Sequence, residues 1–140
     1  MTTNADITLF NQWYNRQTRL TEWKRVQIPG VSWRGGVVTT VTDHGLQAAN
    51  AYIVRIPLDA APAGRTFACP EDWAPTESDD LGALWTIQPG DILINGLLAD
   101  DIAKASDLTA KYGSRCCTVI GWKDNRRGSA ALQHWRIDGK

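Results

Sequence analysis

Apolar and polar residues alternate with a period of two along the start of this sequence, which is typical of β-strands that have one buried face. Residues 6–14 and residues 21–28 both follow this pattern. Pro29-Gly30 comes next, and this dipeptide predicts a type II turn that ends the first hairpin. The alternation therefore predicts that the fold is built mainly from strands.

Further segments have strand character and are bounded by turn-forming residues. They are residues 31–41, 51–56, 84–88, 91–97, 116–122 and 135–137. The doublet Gly35-Gly36 predicts a bulge or a tight bend, and residues 43–45 predict a turn. Pro89-Gly90 predicts a second hairpin between residues 84–88 and 91–97.

A single convincing helix is predicted over residues 100–112, where apolar residues recur at helical spacing and Gly113 suits a left-handed cap. Residues 58–84 are acidic and lack periodicity, so they predict a long loop, in which residues 70–73 form one helical turn. The predicted fold is mainly β (β-rich α+β): a small barrel or sandwich with one short helix and a long acidic loop, in a single domain of residues 1–140.

The composition indicates a globular protein, with 43% hydrophobic and 21% charged residues. We expect it in the cytosol, because no apolar run approaches the length of a membrane span and the start lacks a signal peptide. The three cysteines are expected to be reduced thiols. Cys116 and Cys117 are predicted to point to opposite faces of a strand, so they would not bind one metal ion together.

Charge is segregated along the chain, although the formal net charge is zero. Residues 59–107 contain ten acids and two bases, whereas the other thirteen bases lie outside this stretch. If folding keeps the charges apart, an acidic surface of one copy could meet a basic surface of its neighbour. The alternative is that folding interleaves them.

No catalytic, cofactor or metal site is predicted. His44 and His134 lack the spacing that preorganises a zinc site with the cysteines, and no nucleophile elbow or phosphate-binding glycine loop occurs. The acidic pairs Asp79-Asp80 and Asp100-Asp101 lack the alternating oxygens of a calcium loop. The sequence therefore favours a binding protein over an enzyme.

Seven tryptophans are many for a chain of 140 residues. A small barrel has room for only a few, so one or two of Trp23, Trp33, Trp73 and Trp85 are expected on a surface, where tryptophan often anchors an interface.

A second interpretation is a barrel that binds single-stranded nucleic acid. The bases of the nucleic acid would stack on Trp13, Trp33, Trp122 and Trp135, and Arg126-Arg127 would neutralise its phosphates. The competing interpretation of these tryptophans is that they belong to the core.

Several segments resemble a family of uncharacterised proteins from tailed phages and prophages, which are encoded among head and tail structural genes. The segments are D-I-T-L-F-N-x-W-Y (residues 6–14), I-P-G-V-S-W (28–33), Y-x-V-R-I-P (52–57), W-T-I-Q-x-G-D-I (85–92), D-N-R-R (124–127) and H-W-R-I-D-G-K (134–140). The resemblance covers nearly the whole chain. It implies a head-completion or neck protein, which forms a ring between portal and tail and helps to retain DNA.

The resulting hypothesis is a non-enzymatic virion protein that works without a cofactor or metal. Its expected partners are portal, adaptor or tail subunits and further copies of itself in a ring, with DNA passing nearby without specific binding. The expected location is the virion, and the host cytoplasm during assembly, with no membrane. The residues predicted to contact partners are Trp73, Asp79, Asp80, Arg126 and Arg127.

Overall fold

The computed structural model describes residues 3–42, 45–62, 64–77, 79–98, 105–112 and 115–140. Its strands are β1 (Ala5–Asn15), β2 (Leu20–Thr42), β3 (Gly45–Pro57), β4 (Thr66–Phe67), β5 (Leu84–Trp85), β6 (Ile92–Asn95), β7 (Cys116–Asn125) and β8 (His134–Gly139). Its α-helices are α1 (Pro70–Trp73) and α2 (Ala105–Tyr112). Short 3-10 turns cover Leu58–Ala60, Leu81–Ala83 and Ala130–Leu132. Within the described ranges, neither α-helix is long and apolar enough to cross a membrane.

Six strands close into an antiparallel barrel in the order β1-β2-β3-β8-β7-β6. The barrel closes through β6, which pairs with β1 on one side and with β7 on the other. The prediction of a mainly β fold with short helices is confirmed, and of the two predicted architectures the structure has the barrel.

The first correction concerns β2, which is one strand where the sequence predicted two. Pro29 and Gly30 lie inside it, and Gly30 has a φ of +76°. The register between β1 and β2 shifts at this point, and from Ser32 onwards β2 pairs with β3. The predicted turn is therefore wrong: proline and glycine form an irregularity that lets one long strand serve two neighbours in succession.

The second correction concerns Gly35-Gly36, which form no bulge. They lie in an unshifted ladder opposite Tyr52 and Ala51. A Cβ atom on Gly35 would lie 2.5 Å from Cδ1 of Tyr52. The Tyr52 ring packs against Trp33, with ring centroids 5.5 Å apart. Glycine is needed at position 35 because the tyrosine ring occupies the space of a side chain.

Gly35→Ala is expected to lower the free energy of unfolding by about 1–3 kcal/mol, because the added methyl group must displace the Tyr52 ring. Gly82→Ala is the control, since a Cβ atom there meets nothing within 4 Å, and it should change stability by less than about 0.5 kcal/mol. Urea unfolding followed by tryptophan fluorescence measures both. Equal stabilities of the two variants would contradict this packing.

The predicted loop over residues 58–84 contains short regular elements. β4 and β5 pair in parallel, with Thr66 opposite Leu84 and Phe67 opposite Trp85. The predicted hairpin between residues 84–88 and 91–97 is therefore wrong, because β5 pairs with β4 and β6 lies between β1 and β7.

Both helical predictions have a counterpart in the structure. The helical turn at residues 70–73 is confirmed as α1, with proline at its first position. The predicted helix over residues 100–112 is confirmed for Ala105–Tyr112. Its predicted beginning and the Gly113 cap lie outside the described residues, as do Asp100 and Asp101.

The barrel interior is filled by one cluster of buried apolar side chains. Its members are Ile7, Leu9, Val26, Ile28, Val31, Val54, Ile56, Trp85, Ile87, Leu93, Cys117, Val119, Trp135 and Ile137. A smaller cluster of Phe10, Ile92 and Ile94 also includes the half-buried Cys116 and Tyr112 of α2. The two neighbouring cysteines thus face different clusters, as predicted, and burial raises the pKa of the Cys117 thiol to about 12.

Four tryptophans were candidates for a surface position. Trp73 is 1% exposed and Trp85 is fully buried, which rules out both, whereas Trp23 and Trp33 are half-buried. The segment from β4 to β5 adds its own aromatic side chains to the core, so the molecule buries more apolar residues than the six barrel strands alone would.

Candidate functional site

Trp73 fastens the acidic part of the chain to β1. Its side chain packs with Trp13, Leu81 and Leu84. Its Nε1–H group donates a hydrogen bond to the Gln12 carbonyl oxygen at 3.0 Å. The predicted contact role of Trp73 is corrected accordingly: the ring holds the segment to the barrel and its surface is not available to a partner.

Five carboxylates around this anchor form what we call the acidic segment. They are Glu71, Asp72, Glu77, Asp79 and Asp80, and all five are exposed. The sequence has no Lys or Arg between Arg65 and Lys104. Arg16 lines a groove together with Glu77, so folding interleaves the charges at one edge of the segment. The predicted contact residues Asp79 and Asp80 thus lie in a locally acidic surface.

Arg126 is held by contacts within its own chain. Its Nε and Nη2 atoms donate to the two carboxylate oxygens of Asp124 at 2.9 and 2.7 Å. Its guanidinium carbon lies 5.2 Å from the Trp135 ring centroid and 5.3 Å from that of Phe67. The hydrogen bonds from Arg126 hold the pKa of the Asp124 carboxyl below its usual value. Both predicted arginines are exposed and line one groove with Asp124, and Arg126 in addition covers the aromatic cluster.

Arg126→Ala is expected to lower the free energy of unfolding by about 1 kcal/mol, because it removes a guanidinium that stacks on two aromatic rings. The ion pair with Asp124 is more than one third exposed and adds little. Arg127→Ala should change stability by less than about 0.5 kcal/mol. Urea titration of the three proteins checks this, and an equal effect of both substitutions would contradict the assigned role.

Sequence reasoning missed a row of cations across three neighbouring strands, which we call the basic row. Arg55 of β3 pairs with Arg136 of β8, and Arg136 pairs with Lys123 of β7. Arg34 lies two residues beyond Ser32, the β2 partner of Arg55. Asp138 neutralises part of this charge, since its Oδ1 lies 3.1 Å from Nε of Arg136. No sequence pattern could have shown this row, because its members are 13 to 81 positions apart.

The hairpin of β2 and β3 extends beyond the barrel ladder. Residues 36–42 pair only with residues 45–51, because β1 reaches β2 no further than Val31 and β8 reaches β3 no further than Tyr52 among the described residues. We call these two stretches the ribbon. Neither stretch contains a charged residue. Each of the two stretches is about 24 Å long, given the rise per residue of an extended chain.

A buried polar network around Asp91 was also missed. The carboxylate of Asp91 is fully buried and accepts hydrogen bonds from Nδ2 of Asn11 at 2.7 Å and from the backbone N–H groups of Gln12 and Gln88 at 3.0 and 3.1 Å. Asn11 also bonds to both backbone polar atoms of Thr86. Burial raises the pKa of Asp91 to about 7, although the three donors oppose this shift.

The remaining candidate groups are dispersed. Nδ1 of His134 donates to the Leu132 carbonyl oxygen at 2.7 Å, so Nε2 accepts from Asn125 at 3.2 Å. His44 lies outside the described residues. Within the part of the chain that the structure describes, no group of three or more His, Cys, Asp or Glu residues could hold a metal ion. An open groove of about 720 Å³ beside Leu58 has Asp59 as its titratable lining residue.

The comparison with known families covers the whole chain. The model of a family of unknown function (DUF6751) matches residues 1–140. The chain belongs to this family. No curated protein and no solved structure matches it. The family assigns no activity to its members, so a functional hypothesis has to rest on the surfaces described above.

Proposed function

We propose that this protein is a non-enzymatic structural component of a tailed-phage virion, a head-to-tail connector or neck subunit that forms a ring with portal or tail proteins. The segments that resemble phage structural proteins suggest the setting. The proposed partners are portal, adaptor or tail subunits and other copies of the chain. The proposed locations are the virion and, during assembly, the host cytoplasm.

The ribbon is the observation that carries the proposal. Two-stranded hairpins are at best marginally stable alone in water, and soluble proteins usually protect exposed strand edges with charged residues or proline. Neither device is present in residues 36–42 and 45–51. A ribbon of this composition is suited to pack against other chains, as a subunit of an assembly requires.

The acidic segment supports the same proposal. Five exposed carboxylates offer phosphates no favourable partner. DNA that passes through a ring of such subunits would therefore not adhere to this part of the chain. The segment is held in place by Trp73, so the charge is presented on an anchored element.

Mass spectrometry of purified virions from a phage that encodes this chain tests the proposal, with a deletion of the gene as the second arm. We expect the protein in wild-type particles, and we expect the deletion to yield filled heads that lose DNA or fail to join tails. Particles that lack the protein, together with normal titres from the deletion, would overturn the proposal.

A single-stranded nucleic-acid-binding barrel is the second candidate, and the basic row is the observation that favours it. The predicted stacking residues fit less well, because Trp13 is 7% and Trp135 is 2% exposed. Titration of short oligonucleotides at several salt concentrations tests this candidate. Binding that weakens steeply with salt and is lost in Arg55→Glu would support it.

A further inference from the structure

The basic row is unfavourable for the isolated chain. Residues directly opposite each other on antiparallel strands have Cα atoms about 4.5–5.5 Å apart, and like charges at such positions are destabilising. Arg55, Arg136 and Lys123 occupy consecutive positions of this kind. Asp138 provides one counter-charge. The row therefore leaves an excess of positive charge that a partner with carboxylates or phosphates would neutralise.

The acidic segment of the same molecule is attached to a different strand of the barrel. It is anchored through Trp73 to Gln12 of β1. The basic row is centred on Arg136 of β8, and β8 is three strands away from β1 in either direction around the barrel. The two surfaces are therefore attached to strands on opposite sides of the barrel, and among the described residues no ion pair joins them.

We propose that the basic row of one copy binds the acidic segment of a second copy, and that this contact repeats head to tail. The two patches consist of different residues, so each subunit can use both at once, which is the arrangement that closes into a ring or continues as a filament. This inference rests on the proposed function in one respect, that a ring is the form expected in a virion.

Charge complementarity identifies the partner as a second copy. The acidic segment offers five exposed carboxylates, and the basic row with Arg34 offers four cations beside one acid. The chain has no net charge, so its excess of one sign is matched by its own excess of the other. A nucleic acid would match the basic row but would be repelled by the five carboxylates of the acidic segment.

Charge reversal on each side gives the decisive experiment. The row variant is Arg55→Glu with Lys123→Glu, and the segment variant is Asp79→Lys with Asp80→Lys. At low ionic strength and up to about 1 mM protein, sedimentation velocity should show self-association of the wild type that weakens with salt. Each variant alone should associate at least ten-fold more weakly, because the substitutions remove most of the opposite charge from one side of the contact. An equimolar mixture should regain association, because the unaltered row of the segment variant can bind the unaltered acidic segment of the row variant.

The control variant is Arg19→Glu with Lys111→Glu, which makes the same charge change at exposed positions outside the row. It should keep wild-type association. Circular dichroism of every variant verifies the fold. A wild type that stays monomeric together with a mixture that stays monomeric would overturn the inference, as would an equal loss in the control.

A short single-stranded oligonucleotide is the second probe. If the row variant loses oligonucleotide binding while the segment variant associates like the wild type, the row is a nucleic-acid surface and the inference is wrong. Failure of the mixing experiment is separate from failure of the virion experiment, since a subunit can occur in particles through its ribbon alone.

Discussion

Trp73→Ala is expected to lower the free energy of unfolding by about 3–5 kcal/mol and to release the acidic segment from the barrel. The indole is 1% exposed, and its removal leaves a cavity between β1 and the turn at Leu81–Ala83. Urea unfolding measures the loss. Hydrogen exchange should show reduced protection of backbone amides in residues 65–85, while amides of the barrel strands keep their relative protection.

Trp73→Phe separates packing from hydrogen bonding. Phenylalanine keeps most of the ring but loses the Nε1–H donor, so the expected loss is about 1–2 kcal/mol. The Gln12 carbonyl oxygen still accepts from Nε2 of Gln88 at 2.8 Å. If Trp73→Ala stays within 1 kcal/mol of the wild type, the indole does not anchor the segment.

Asp91 is expected to make the wild type less stable as the pH rises from about 4 to about 7. The pKa of Asp91 is raised from 3.8 to about 7 in the folded protein. The unfolded chain therefore ionises at a lower pH, and between these two pH values its ionisation lowers its free energy relative to that of the folded protein. The contribution of Asp91 is therefore fully present below the unfolded pKa and is lost as the pH rises through the folded pKa. The pKa difference corresponds to at most about 4 kcal/mol.

Asp91→Asn tests this dependence, because an amide does not titrate. The variant loses an acceptor for one of the donors on Asn11, Gln12 and Gln88, so it should be about 1–3 kcal/mol less stable at pH 4. The difference from the wild type should shrink as the pH rises to 8, measured by urea unfolding at each pH. All other carboxylates are common to both proteins and cancel in the difference, so parallel pH profiles would contradict the burial of an ionisable Asp91.

The sequence was sufficient for the elements whose signals are local. The alternation of apolar and polar residues predicted β1, and a proline followed by two acids predicted the helical turn at residues 70–73. Pro29-Gly30 shows the limit of local signals. Glycine at positive φ suits a turn and an irregularity within a strand equally well, and only the pairing of β2 with β1 and then β3 decides between them.

The hairpin prediction failed for a related reason. Leu84 and Trp85 pair with residues 66 and 67, while Ile92–Asn95 pairs with residues about 85 positions earlier and about 24 positions later in the chain. Nothing in the composition of these stretches specifies partners that far apart. The basic row likewise exists only through the register of β3, β8 and β7, so no motif could have predicted it.

The Asp91 network did leave one signal in the sequence. Asn11 falls on the same face of the first predicted strand as Ile7 and Leu9. A polar residue on an apolar face indicates a buried hydrogen-bonding partner, because an unpaired amide is costly to bury. The sequence could have predicted that such a partner exists, but its identity as Asp91 depends on the tertiary fold.

The length of β2 has a mechanical consequence. One strand runs from Leu20 to Thr42 through the irregularity at Pro29-Gly30, pairs first with β1 and then with β3, and continues into the ribbon. A pull on the ribbon along this strand would load the ladder bonds to both neighbours at right angles to their direction, so that many share the force at once. Tension applied to residues 36–42 would thereby pass directly into the wall of the barrel.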